Sequence, residues 1–429
     1  TVSFLCCIQR LYQYPNNIRL YSRCIKPWTE TFQLKYLQNL KPTAKNKDKV
    51  VGYWLLSCCG MVSVAVFLGG ITRLTESGLS MVTWKFLGEK RPRTQNEWEE
   101  EFLKYKKFPE YKMLNSSMTV EEFKFIYLME YAHRMWGRAI GVFFLVPAFY
   151  FWRLGYLSSA VKKRVSLIGL LIGAQGLMGW YMVKSGLEDR FQDINDVPRV
   201  SQYRLASHLS LAFVLHVLCL STALSLVLPT QKLSILSSKI TNVRRLAMIT
   251  KGIVFFTAVS GAFVAGLDAG LVYNTFPKMA DNWVPPELLT FQPLLKNFTE
   301  NPVAVQFNHR LLGITTLSFI SALYLLGKRA VLPKRAYWAL NSLMLVACAQ
   351  VTLGITTLLN HVPVPLAASH QSGSLLLLSI IVWENKQKYS YMKYYIFVIS
   401  LIILLIPKST KSSIWILIEL KPSSKQIVS

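Results

Sequence analysis

The chain has 429 residues and a formal net charge of +26, yet 52% of its residues are hydrophobic and only 16% are charged. Several apolar runs reach the roughly 20 residues that a helix needs to cross a bilayer, which excludes a set of soluble domains and indicates a polytopic membrane protein. The positive charge is concentrated in alternate loops between these runs, so it does not indicate a nucleic-acid partner.

Residues 1–49 are basic and only weakly hydrophobic. They contain nine Lys or Arg residues and two acidic residues, Glu30 and Asp48. The segment has neither a clean apolar stretch nor the small-residue cleavage site that is typical of a secretory signal. Such a composition is typical of a mitochondrial transit peptide. We therefore expect residues 1–49 to form a transit and matrix segment.

Eight apolar runs predict eight transmembrane helices. They lie at residues 50–71, 123–152, 165–184, 203–228, 250–268, 304–327, 336–359 and 366–383. A shorter apolar run at 394–406 is compatible with a ninth span or an interfacial helix. It belongs to a C-terminal extension, residues 386–429, to which the sequence assigns no role.

Lys and Arg are concentrated in every second loop. Residues 153–164, 229–251 and 328–335 hold four, five and four basic residues and no acidic residue, whereas 73–122 hold nine of each sign. Loops rich in Lys and Arg stay on the inner side of a membrane. Together with the expected transit segment, the pattern predicts a membrane protein with its N-terminus in the mitochondrial matrix. The loop at 73–122 then faces the intermembrane space.

Several motifs of the first half of the sequence are repeated in the second half. GGITRLTESGLSMVTW at 69–84 matches GAFVAGLDAGLVYNTF at 261–276, and HRMWG at 133–137 matches HRLLG at 309–313. Because the landmarks keep their order, we predict an all-α membrane protein built from two tandem four-helix bundles. The predicted units are an N-terminal half at 50–228, a basic matrix linker at 229–249 and a C-terminal half at 250–385.

Four of the six histidines occupy matched positions near the starts of even-numbered predicted helices. Because these helices all begin on one side of the membrane, His133 and His208 should converge in the first half, and His309 and His370 in the second, towards the intermembrane space. Neutral imidazole is a common axial ligand of haem iron, and an apolar helical bundle suits a porphyrin. We therefore expect one bis-histidine haem site in each half. The remaining histidines, interpreted as structural, are His216 and His361.

Five arginines near the same membrane face are candidate partners for haem propionates, because a guanidinium group binds carboxylates well. They are Arg73, Arg134, Arg138, Arg204 and Arg310. Glu76, three residues after Arg73, is interpreted either as an orienting partner of that arginine or as part of a capped helix end.

Glu130 precedes His133 by three positions, which places both side chains on one helix face. The equivalent residue in the second half is Gln306. Glu130 is therefore either an acid–base or radical-stabilising group beside one haem, or one member of a structural ion pair with Arg134 four residues later. A di-iron carboxylate centre is disfavoured because it needs a second Glu-x-x-His motif, and this chain has Gln-x-x-His there.

Six ordered motifs resemble those of the haem A synthases, a family of mitochondrial cytochrome oxidase assembly proteins. The motifs are GGITRLTESGLSMVTW, EYAHRMWGR, RLASHLSLAF, DAGLVYNTFPKM, QFNHRLLG and AASHQSG. The resemblance covers residues 50–385. It implies an eight-helix enzyme that oxidises the C8 methyl group of haem O to the formyl group of haem A by two successive hydroxylations.

Site residues and partners follow from the resemblance. It implies that His309 and His370 bind a haem b cofactor, that His133 and His208 form the haem O site, and that Glu130 is the family's catalytic glutamate. It further implies haem O synthase as the upstream donor, ferredoxin with its reductase as the electron source, cytochrome c oxidase assembly factors as partners, and a homo-oligomer. Molecular oxygen and water both stay open as the oxygen source.

Two other functions are compatible with the same residues. A di-haem cytochrome b that only transfers electrons would use the four histidines without needing Glu130, and would yield no haem A. A transporter with a tandem repeat would use His and Glu as proton relays and would show no haem absorbance.

Overall fold

The computed structural model describes residues 44–188, 199–228 and 238–384. Most of the expected transit segment and the apolar run at 394–406 therefore lie outside the described residues.

The described residues form ten α-helices, of which eight are long and apolar enough to cross a bilayer. The spanning helices are α1 (Ala44–Leu74), α4 (Val120–Arg153), α5 (Ser159–Gly186), α6 (Gln202–Val227), α7 (Ser238–Gly266), α8 (Pro302–Lys328), α9 (Lys334–Leu359) and α10 (Val364–Glu384). Two shorter helices, α2 (Gln95–Tyr105) and α3 (Pro109–Met113), lie in the loop that follows α1. The predicted all-α membrane protein with eight spans is confirmed.

Helix α7 differs most from its predicted bounds. It begins at Ser238 rather than at residue 250, so residues 238–249 of the predicted linker are helical. Hydropathy detects only the apolar part of a helix, whereas Lys and Arg are good helix formers whose charged ends extend away from apolar surroundings. The basic segment therefore continues the helix beyond its apolar stretch.

Each half closes into a four-helix bundle. In the first half α1 packs on α4, α4 on α5, α5 on α6, and α6 back on α1. In the second half α7, α8, α9 and α10 pack in the same cyclic order. Helices α4 and α6 are therefore diagonal to each other across the first bundle, as α8 and α10 are across the second.

The two bundles meet along α1 and α6 on one side and α7 and α10 on the other. A small polar cluster lies in this apolar interface. His216 Nε2 on α6 lies 2.7 Å from Ser379 Oγ on α10, and His216 Nδ1 lies 3.3 Å from Cys59 Sγ on α1. The hydrogen bonds among these groups offset the free-energy cost of burying polar atoms in an apolar interface. His216 therefore has a packing role between the halves.

The loop after α1 folds into an aromatic cap on the first turns of α4. Trp98, Phe102 and Tyr105 from α2 are buried against Phe123 and Tyr127. Helices α2 and α4 both begin with a capping box, in which a threonine and the glutamate three residues later satisfy each other's backbone amides. The cap fixes the loop beside the beginning of α4, where Glu130 lies.

Candidate functional site

The four matched histidines lie on diagonal helices. His133 is on α4 and His208 on α6 in the first bundle; His309 is on α8 and His370 on α10 in the second. All four histidines are partly buried residues. Each pair therefore faces the interior of its bundle from opposite sides.

The second pair has the spacing that a shared metal ion requires. The ring centres of His309 and His370 are 6.4 Å apart and the ring planes are nearly perpendicular, at 86°. Two imidazoles that bind one metal ion from opposite sides, through metal–nitrogen bonds of about 2 Å, have ring centres roughly 6 Å apart. In the first bundle His133 and His208 occupy the equivalent positions of the repeat on the diagonal helices α4 and α6. The residues present thus fit an iron bound between the second pair.

A glycine on an adjacent helix faces each histidine ring. A Cβ atom at Gly69 of α1 would lie 2.9 Å from His133 Cε1, and one at Gly261 of α7 would lie 3.3 Å from His309 Cε1. The first distance is shorter than real Cβ contacts, and the second is tighter than most of them. These two glycines occupy matched positions of the repeat, so the close approach of helix backbone to imidazole is duplicated.

The other two helices repeat the arrangement. A Cβ atom at Gly354 of α9 would lie 2.7 Å from His370 Cε1, and one at Gly179 of α5 would lie 3.6 Å from His208 Cε1. Histidine and glycine therefore alternate around the four helices of each bundle. These glycines were not among the predicted site residues, although their matched positions in the repeat indicate them.

Two matched glutamines form hydrogen bonds to the backbone of the histidine-bearing helices α6 and α10. Gln175 Nε2 on α5 donates to the backbone carbonyl of His208 at 3.1 Å, and Gln350 Nε2 on α9 donates to that of His370 at 2.7 Å. Each bond ties a histidine backbone to the helix that carries the facing glycine. The register between these helices is thereby fixed at the level of the histidine.

Glu130 is buried, with 2% of its surface exposed. Its Oε2 accepts hydrogen bonds from Ser80 Oγ at 2.6 Å and from the Met81 amide at 2.7 Å. Its Oε1 lies 2.6 Å from Arg134 Nη2, which also donates to the Met81 carbonyl. The ion pair with Arg134, one of the two alternatives predicted for Glu130, is therefore formed, and the hydrogen bonds to Ser80 and Met81 tie it to the loop after α1.

Gln306 makes the equivalent connection without a charge. Its Nε2 donates to the carbonyls of Ala269 at 2.8 Å and Tyr273 at 3.1 Å, and its Oε1 accepts from Arg310 Nη2 at 3.0 Å. Arg310 Nη2 also donates to the Tyr273 carbonyl, as Arg134 does to the equivalent Met81. Loop anchoring is thus duplicated, whereas the negative charge is present only in the first bundle.

Arg73 binds an acid from the other half of the chain. Its Nη2 lies 2.7 Å from Asp268 Oδ1, and the second oxygen of Asp268 lies 3.0 Å from Arg199 Nη1. The interpretation of Glu76 as the orienting partner of Arg73 is therefore wrong, and the side chain of Glu76 is exposed. Spacing within one repeat cannot reveal a contact that forms only when the two repeats pack together.

The remaining candidate arginines also have protein partners. Arg138 donates to the carbonyls of Lys85 at 2.7 Å and Phe86 at 3.2 Å. The guanidinium of Arg204 lies 4.8 Å from the ring centre of Tyr181, a cation–π contact. The guanidinium groups of all five arginines thus contact loop carbonyls, acidic side chains or aromatic rings of the protein. Propionate binding by these arginines stays a prediction.

Fold and site define a multi-pass membrane protein with two repeat-related histidine sites, each spanning its own four-helix bundle. The sequence profile of the family described as "Cytochrome oxidase assembly protein" matches residues 52–382, so the chain belongs to this COX15-CtaA family. The resemblance stated from the motifs is thereby confirmed.

Curated relatives agree with this assignment. The chain is 57% identical over 341 residues to the human "Heme A synthase COX15", covering 79% of this chain and 83% of the relative. It is 44% identical over 359 residues to the Saccharomyces cerevisiae protein of the same name, covering 77% and 74% respectively. It is 41% identical over 371 residues to the Schizosaccharomyces pombe "Heme A synthase-mitochondrial ferredoxin fusion protein", covering 79% and 60%.

Proposed function

We propose that this chain is a haem A synthase of the mitochondrial inner membrane. It oxidises the C8 methyl group of haem O by successive hydroxylations to the formyl group of haem A, which is needed for cytochrome c oxidase assembly. The observation that carries the proposal is the 57% identity to the human heme A synthase over 83% of that protein. The two diagonal histidine pairs supply the chemistry that this activity needs.

The two pairs have different tasks in this proposal. His309 and His370 hold a haem b cofactor, which supplies one-electron chemistry when bound. Their ring separation of 6.4 Å supports this assignment. His133 and His208 hold the substrate haem O. The apolar walls of the first bundle exclude water, and the facing Gly69 and Gly179 let the helix backbones approach the imidazole rings.

Glu130 is the catalytic residue in this proposal because it is the acidic member of an otherwise duplicated arrangement. Its Oε2 is occupied by Ser80 and Met81, so we assign proton transfer or charge stabilisation to Oε1, beside Arg134. A buried carboxylate interacts strongly with charge that develops nearby, since the surroundings screen it poorly. The second bundle, with neutral Gln306, binds its cofactor without this group.

The electron donor proposed for this chain is a ferredoxin with its reductase. The support is the fission-yeast relative, whose name records a fusion to mitochondrial ferredoxin. The charge distribution of the loops supports a matrix N-terminus and histidine sites towards the intermembrane space. Haem O synthase as donor of the substrate, assembly factors as partners and a homo-oligomeric state belong to the same proposal.

The test is haem A formation by the full chain in cells that supply haem O and lack their own heme A synthase. Extracted haems are separated by chromatography, and haem b bound to the purified protein is measured in parallel. We expect haem A with the wild type, none with His133→Ala or His208→Ala, and wild-type levels with the control His361→Asn in the loop before α10. Bound haem b without any haem A would instead establish the electron-transfer cytochrome. A protein without haem absorbance would favour the transporter.

A further inference from the structure

The four ligand histidines differ in what their Nδ1 atoms contact. His309 Nδ1 lies 2.7 Å from Ser260 Oγ on α7. The Nδ1 atoms of the other three are buried and make no hydrogen bond of ordinary geometry with the described residues; they belong to His133, His208 and His370. Ser260 thus distinguishes one histidine of the second bundle from the other three.

The direction of this hydrogen bond follows from the bonding of the serine. Ser260 Oγ also lies 2.7 Å from the carbonyl of Thr257, which only accepts. A hydroxyl has one hydrogen to donate, so Ser260 donates to Thr257 and accepts from His309. The Nδ1 atom of His309 therefore carries the proton. Its Nε2 is left with a free lone pair, as an iron ligand requires.

The first bundle lacks this arrangement. Ser260 precedes Gly261 as Leu68 precedes Gly69, so a leucine occupies the equivalent position beside His133. In the second bundle, Thr257 Oγ1 also lies 2.7 Å from Thr316 Oγ1 on α8. The equivalents of these two threonines are Ala65 and Ile140. At these positions α7 and α8 are joined by hydroxyl groups, whereas α1 and α4 have apolar side chains there.

We propose that Ser260 is a positioning residue that makes the second bundle a permanent cofactor site. By fixing the tautomer and the ring orientation of His309, it pre-organises Nε2 for iron before any haem is bound. Leu68 supplies no hydroxyl to the ring of His133, which interacts only with the Ala65 backbone on that helix, as suits a site from which a modified haem must depart. This inference rests on the proposed function, in which the second pair holds haem b and the first pair holds the substrate.

The expected effect follows from the chemistry of metal-bound imidazole. When the ring nitrogen that does not bind the metal donates a hydrogen bond, the imidazole becomes a more basic ligand. Loss of this hydrogen bond typically lowers metal affinity by about 10–100-fold. Ferric iron depends more on a basic ligand than ferrous iron does. A less basic imidazole therefore destabilises the ferric state relative to the ferrous state. Removal of the Ser260 hydroxyl should therefore both weaken haem binding and make the reduction potential of the bound haem more positive.

The experiment uses the purified full chain carrying His133→Ala, in which only the second pair can supply two imidazoles to one haem. Haem dissociation is followed by transfer to apomyoglobin, and the reduction potential by spectroscopic titration. In this background we compare Ser260→Ala, Ser260→Thr, which keeps the hydroxyl, and Ser318→Ala. Ser318 is an exposed serine of α8 whose hydroxyl bonds within its own helix, so its loss is a matched control.

We expect Ser260→Ala to lose haem about 10–100-fold faster, with a more positive potential, and Ser260→Thr and Ser318→Ala to keep the parent values. Unchanged dissociation and potential in Ser260→Ala would overturn the inference while leaving the haem sites in place. Equal losses in Ser260→Ala and Ser260→Thr would also overturn it, because packing rather than the hydroxyl would then matter. A parent protein without bis-histidine haem would contradict the proposed function itself.

Discussion

Glu130 and Gln306 occupy equivalent positions of the two repeats, and each joins its helix to the preceding loop and to an arginine four residues later. The hydrogen bonds to loop backbone are made by a carboxylate in one case and by an amide in the other. The polarity of these bonds is opposite, because Glu130 accepts from Ser80 and Met81, whereas Gln306 donates to carbonyls. A glutamine at position 130 can still accept both bonds through its amide oxygen, so Glu130→Gln removes the charge while keeping these two contacts.

We expect Glu130→Gln to fold and to retain haem b but to lose haem A formation. General acid–base groups contribute about 10²–10⁴-fold to rates, so haem A should fall by at least about 100-fold. The measurement is the ratio of haem A to haem O in extracts, normalised to bound haem b. The control Glu121→Gln, at an exposed acid in the first turn of the same helix, should leave that ratio unchanged. Wild-type haem A production by Glu130→Gln would mean that Glu130 is only an anchor.

The two glycines nearest to His370 and His208 should differ in their tolerance of a methyl group. Because the Cβ of Gly354→Ala would lie 2.7 Å from His370 Cε1, the ring must move, and we expect loss of the low-spin bis-histidine absorbance of haem b. Gly179→Ala places its Cβ at 3.6 Å from His208 Cε1, an ordinary contact, and should bind haem as the wild type does. Equal spectra for the two variants would refute this difference in clearance.

The ion pair between Arg73 and Asp268 should stabilise the contact between the halves by a modest amount. Asp268 is 41% exposed, so solvent screening limits the pair to about 1 kcal/mol or less. Asp268→Asn removes the charge and suits the left-handed backbone, with φ of 52°. We expect a small drop in Tm in detergent that shrinks at high salt. The matched control is Glu76→Gln, an exposed acid with the same φ; an equal drop there would exclude a specific role for the pair.

The aromatic cap should loosen as pH rises. Glu110 accepts a hydrogen bond from Tyr105 Oη at 3.0 Å. Burial raises the pKa of its carboxyl group from 4.5 to about 8. The folded cap then holds a proton that the unfolded loop releases between these values, so stability falls as pH increases through that range and levels off above about 8. Each pKa unit corresponds to about 1.4 kcal/mol.

Glu110→Gln should abolish this pH dependence, because a neutral amide carries no desolvated charge at any pH. Amide hydrogen exchange of peptides from α2 and α3, compared between variant and wild type at about pH 6 and about pH 8.5, measures the effect. Exposed Glu99→Gln on α2 is the control. If the wild type and Glu110→Gln exchange alike at the higher pH, Glu110 does not destabilise the cap.

Local patterns in the sequence were sufficient for the spanning helices and for the histidine positions. Eight apolar runs became α1 and α4 to α10, and His133 and His309 could be matched because the repeat preserves their neighbours. These features depend on hydropathy and on short motifs, which are properties of neighbouring residues. The contacts of Asp268 and Ser260 depend instead on which helices pack together, and no spacing within the sequence reports that.

The helices of the cap escaped prediction for a related reason. Residues 95–105 contain four Glu and one Lys, so hydropathy assigns them to a loop, although Trp98 and Phe102 lie one turn apart on a buried face. Similarly, nothing in the local sequence distinguishes the glycines beside the histidines from other helix glycines, because their contacts are with an adjacent helix. Only the tandem repeat, which places Gly69 over Gly261, signals their importance in advance.

The cyclic packing of the helices also divides the chain by its tolerance of sequence change. In the apolar stretch of α6, 61% of the residues are buried, against 17% in α4, α5 and α9. Inner helices α1, α6, α7 and α10 should therefore accumulate substitutions slowly over evolution. The outer helices α4, α5, α8 and α9 can exchange one lipid-facing apolar side chain for another. Their freedom ends on the face that points into the bundle, which on α4 carries Glu130 and Arg134 besides His133. Drift is therefore possible on the perimeter without loss of either site.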